Sequence, residues 1–149
     1  YNHMNNKIQQ TLMGGIIATA VMSVVMMLGA AMGMPKMSPP QMLATMMGVS
    51  IIVGWLLHFM IGIIFAFGYS YLLMNAVRKV NSNILKGGIF GVAAFIFAQI
   101  AMAILDGMMG GLPPMEGSVV LIMMGSIMGH IIFGIVVALF VKEQKHNEA

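Results

Sequence analysis

Two histidines carry the most distinctive chemistry this sequence offers. His58 and His130 each lie within a long apolar stretch, 72 positions apart. An ionisable side chain is costly at membrane depth, so each is a functional candidate from the outset. Their neighbours repeat. Gly54, His58, Gly62 and Ala66 stand four residues apart, and Ser126, His130, Gly134 and Ala138 stand at the same spacing. One helical turn rises about 5.4 Å, so each imidazole projects from a strip kept bare one turn above and one turn below. A macrocycle held between two histidines would need that bareness, and histidine is a usual axial ligand of haem iron. The pattern predicts one non-covalent b-type haem, ligated by His58 and His130, with Gly54, Gly62, Ser126 and Gly134 making room for the ring. Cysteine is absent, so the Cys-x-x-Cys-His attachment of c-type haem is excluded, as are disulfides and thiolate metal sites.

The 20 methionines offer a second chemistry. Met32, Met34, Met37, Met42, Met46 and Met47 surround one loop, and Met108, Met109 and Met115 another. Soft thioethers near one membrane surface, with histidines below, suit copper(I). A copper-handling protein using His58, His130 and these methionines is therefore the alternative reading. Met13, Met22, Met26, Met27, Met60 and Met102 are spread along helices instead, where thioethers also fill irregular packing gaps. Plain packing has its own claim on the histidine strips. Small-x-x-x-small spacing lets membrane helices approach closely, and a neutral histidine can bond to Gln99, Ser23, Thr19 or a backbone carbonyl. On that third reading the chain is a cofactor-free accessory subunit.

These residues need elements to position them. The chain has 149 residues, 60% hydrophobic and 7% charged, where a soluble domain has roughly 25% charged residues. A chain this short cannot bury such an excess in a water-facing fold. Four stretches reach the about 20 apolar residues that a membrane helix needs: Ile8–Gly33, Val49–Met74, Leu85–Leu105 and Ser118–Val141. The prolines of Met34–Pro40 predict a loop, as does the break from Asp106-Gly107 to Pro113-Pro114, and Arg78–Asn83 makes a polar turn. The expected fold is an all-α integral membrane bundle of four transmembrane helices, in one domain over residues 1–149. It is read as two tandem parallel two-helix repeats, about 8–75 and about 84–141. Leu12–Ile16 answers to Leu85–Ile89, and Pro39-Pro40 to Pro113-Pro114. Parallel repeats are related by an axis along the membrane normal. The second and fourth helices then lie diagonally opposite, bringing the histidines face to face.

At this point the chain resembles the membrane cytochromes b, in which four helices form a bundle and the second and fourth supply axial histidines. The residues carrying the resemblance are Gly54, His58, Gly62, Ser126, His130 and Gly134. It is a resemblance of arrangement, and one histidine per helix implies one haem at most. It implies electron transfer or haem binding, alone or as a subunit of a membrane assembly. The chain is also similar to small uncharacterised four-helix bacterial membrane proteins, from which no activity transfers.

Lys7, Arg78, Lys79, Lys86, Lys142 and Lys145 fall on one side and Lys36 on the other. The positive-inside bias predicts both termini in the cytoplasm and the chain in the cytoplasmic membrane. The first apolar stretch is too long for a cleaved signal peptide. Tyr1-Asn2-His3 precede Met4, and His3 is given no functional weight. Trp55, Tyr69 and Tyr71 suit interfacial anchoring, and Asp106, Glu116 and His146 suit solvated loops and tail. The net charge of +3 is scattered, leaving no nucleic-acid footprint. No nucleophile with its base, no P-loop and no dinucleotide fingerprint is readable, so no independent catalytic activity is expected. The partners expected are the bilayer and other membrane subunits or a second copy.

Overall fold

The structure, a computed structural model, describes residues 2–109 and 117–141. The elements are helices: α1 (Asn2–Ala31), α2 (Pro39–Met47), α3 (Ile51–Gly68), a π-helical turn (Tyr69–Leu73) leading into the short α4 (Met74–Ala76), α5 (Asn83–Met109) and α6 (Val119–Phe140). Four spans are long and apolar enough to cross a membrane: Asn6–Ala31, Ile51–Ala76, Asn83–Met108 and Val119–Phe140. Their outward faces carry exposed Leu28, Leu56, Ile64, Ile96, Phe97 and Ile104 among many others. Water would not tolerate so much contiguous apolar surface, and lipid is its matching solvent.

Local chemistry sets the boundaries. A short helix, α2, begins at Pro39-Pro40, inside the stretch Met34–Pro40 that the sequence predicted to be loop. Pro39 and Pro40 occupy the first turn of α2, where a missing N–H costs nothing. Ser38 caps that helix, its hydroxyl accepting from the Gln41 N–H at 3.4 Å. Gly48 closes it at φ 63°, a left-handed conformation that an L side chain resists. Ser50 and Ser82 cap the next two long helices, accepting from Val53 N–H and Leu85 N–H. The predicted break at Asp106-Gly107 does not occur. α5 runs through both to Met109, since neither residue removes a backbone donor as proline does. Pro113-Pro114, Met115, Glu116, Lys142, Lys145 and His146 lie outside the described residues.

α1 packs against α3 on one side and α6 on the other, and α6 packs against α5. α3 and α5 meet through rings: Phe65 with Phe97 (centroids 5.6 Å apart) and Tyr69 with Phe90 (5.0 Å). The buried positions of α1 are Thr11, Gly14, Gly15, Ala18, Thr19, Met22 and Ser23. That three-and-four spacing is a single inward stripe, made, apart from Met22, of small or hydroxyl residues that let neighbouring helices come close. The core combines Ala18, Met22, Ala66, Tyr69, Phe90, Phe133, Val137 and Ala138. α2 lies across the end of α3 that begins at Ile51, its buried Pro40 and Ala44 pressed on Gly54.

Candidate functional site: two histidines and their neighbours

The sequence places His58 and His130 on α3 and α6, and both side chains are held inside the protein. His58 is buried and His130 half-buried. Each is wedged by an aromatic edge, His58 by Trp55 (centroids 6.2 Å apart) and His130 by Phe95 (5.8 Å).

Each ring is oriented by one hydrogen-bond contact. The Ser23 hydroxyl donates to the Thr19 carbonyl at 2.8 Å. A hydroxyl has one hydrogen; while it is given to Thr19, the 3.3 Å contact with His58 Nε2 is one in which Ser23 accepts and Nε2 carries the proton. The lone pair of His58 is then on Nδ1. On the other ring, Nδ1 lies 2.8 Å from the Ser126 backbone carbonyl, which only accepts. His130 Nδ1 therefore carries the proton, and the lone pair is on Nε2. The two rings, matched in sequence, offer opposite nitrogens.

The small residues flanking them hold protein. A Cβ on Gly54 would strike the Pro40 carbonyl oxygen, and one on Gly62 would strike the Thr19 hydroxyl. One on Gly134 would strike the Gly87 carbonyl and the Gly91 backbone. Ser126 contributes its carbonyl to His130. Phe133, three residues beyond His130, lies in the core 3.5 Å from where a Gly62 Cβ would be. A haem would need a ring-sized slot beside each imidazole, and α2, Thr19, Phe133 and α5 occupy those positions. His58 also spends Nε2, the usual haem-ligating atom, on Ser23. The residues present do not fit a macrocycle between these histidines. The sequence pattern of bare positions was real, but close helix packing uses it.

Two cavities open nearer the α2 end of the bundle. One, about 270 Å³, is bounded by Ser23, Met26, Met27, Lys36, Met37 and Trp55 among others. The other, about 260 Å³, carries Met26, Met32, Met34, Met37 and Met128. Sequence reasoning saw the methionines around the loop but not Met26 in a shared role. Its spacing on α1 looked like core packing. Among the described residues no three His, Asp or Glu side chains gather into a metal-binding group.

Over residues 5–148 the chain matches a family of unknown function, DUF6789. No curated protein matches it, and no solved structure does.

Proposed function

The chain belongs to DUF6789, and we propose that this member binds a soft metal ion, copper(I), within the membrane through His58 and His130. The observation that supports the reading is that each imidazole is tied through one ring nitrogen. Each imidazole is oriented by a hydrogen bond through one nitrogen, Ser23 for His58 and the Ser126 carbonyl for His130, leaving a lone pair on the other. Metal-ligating histidines are typically held this way, with the second ring N–H tied to a carbonyl or hydroxyl. Neutral imidazoles suit copper, and hard divalent ions prefer carboxylate oxygens. The positive-inside bias assigns the termini to the cytoplasm and the methionine-rich end to the opposite face. An ion would then enter from outside and reach the histidines through the bundle.

The test is spectroscopic and elemental. Protein purified anaerobically in detergent should be colourless, contain copper, and give an X-ray absorption signature with imidazole scattering. His58→Ala and His130→Ala should each lose that copper while keeping their helical circular dichroism. A Soret band that disappears in both variants would replace this proposal with the haem reading. Colourless wild-type protein that takes up no copper would leave the accessory-subunit reading.

A further inference from the structure

We infer a second site for a soft monovalent metal ion, made wholly of thioethers, in the 260 Å³ cavity between α1, the Met34–Ser38 loop and α6. It deepens the copper reading above but stands on different atoms. Met26 comes from α1, Met34 and Met37 from the loop, and Met128 from α6, and all four line this cavity. The sulfurs of two of them are placed by glycines on α6. The Met37 Sδ lies 3.2 Å from the position a Gly125 Cβ would take, and the Met26 Sδ lies 3.5 Å from that of Gly129. The Met34 methyl also rests against Gly125. Gly125 and Gly129 are one turn apart, so methionines from two directions meet over a single bare patch of α6.

Charge selects the ion. No titratable side chain lines this cavity, whereas Lys36 lines the neighbouring one. A site built of neutral, polarizable sulfur gives little to a hard dication and suits copper(I) or its redox-inert counterpart silver(I). Gly129 directly precedes His130, and Met26 also lines the neighbouring cavity with Ser23, the partner of His58. Through Gly129 and Met26 the thioether site adjoins the segments that hold both imidazoles, as the point of capture from which an ion passes inward.

The experiment is silver(I) titration of full-length protein in nanodiscs, followed by calorimetry and by methionine methyl NMR. Losing a group that merely hydrogen-bonds to a metal ligand weakens binding by about 10- to 100-fold, so loss of ligating sulfurs should cost at least that. Met26→Leu with Met37→Leu, which keeps volume and removes sulfur, should weaken silver binding accordingly. Met13→Leu with Met60→Leu, on half-exposed outward positions, should leave it unchanged. In the wild type, silver should shift the methyl signals of Met26, Met34 and Met37. The His58→Ala, His130→Ala double variant should retain this binding, which separates the two sites: failure of the histidine site leaves the thioether site standing, and the reverse. The inference is overturned if the Met26, Met37 variant binds silver as the wild type does, or if the outward pair loses as much.

Discussion

Ser23 is the residue on which the histidine chemistry turns. Its single hydrogen, while given to Thr19, puts the proton of His58 on Nε2. Ser23→Ala should free Nε2 and let the ring exchange tautomers. In ¹⁵N-histidine NMR, His58 in the wild type should show a protonated Nε2 and a bare Nδ1, with His130 showing the reverse. The Ser23→Ala variant should lose that contrast at His58 only. Its stability should fall little, because side-chain hydrogen bonds within membranes average about 0.6 kcal/mol. Copper affinity should fall by about 10- to 100-fold, the usual effect of removing a ligand's orienting partner. A variant that kept both the tautomer and the affinity would show that Ser23 only fills space.

At the scale of elements, glycine positions divide into those that carry helix contacts and those that do not. Gly87, Gly91 and Gly134 bring the α5 and α6 backbones together, with no flexible side chain able to yield. Gly134→Ala should force the helices apart and cost about 1–3 kcal/mol, as overpacking does, visible as a lowered unfolding midpoint in detergent. Gly88 meets open space, so Gly88→Ala should instead gain up to about 1 kcal/mol from helix propensity. Equal effects at the two sites would remove the packing assignment. The four spans were legible in the sequence because each is a long run of apolar residues with clear polar ends. α2 was not, since paired prolines signal a loop unless a capping serine such as Ser38 is recognised before them. The bare strips around His58 and His130 were legible too, but not their occupants. Spacing shows that a residue is small, whereas only the fold shows that Pro40, Thr19 and Gly87 are what approach it.

Across the whole molecule, the helices are unevenly joined. α1 and α6 are the inner pair, each touching two neighbours closely, whereas α3 and α5 meet through aromatic rings. That seam should be the easiest to open. A double-mutant cycle between Phe65→Ala and Phe97→Ala should return a coupling of about 0.5–1.5 kcal/mol, the usual worth of an aromatic pair. A coupling of zero would mean that lipid contact holds Phe97 in place. The diagonal placement of the second and fourth spans expected from the sequence agrees with these contacts, but which apolar residues face protein could not be read from it. Exposed and buried apolar residues look alike when the solvent is itself hydrocarbon, and only the small-residue faces distinguish protein contact from lipid contact.

The π-helical turn bears on how the chain keeps time along α3. Gly54, His58, Gly62, Ala66, Ser70 and Met74 are all inward and all four apart. At 3.6 residues per turn such a series drifts by about 40° per step and would soon rotate into lipid. The widened turn, closed by the Met74 N–H on the Tyr69 carbonyl, absorbs an extra residue and winds the series back. Tyr69 then reaches Phe90 while its neighbour Ser70 reaches Thr11. A cysteine-labelling walk along this span should beat regularly to Gly68 and then skip a beat.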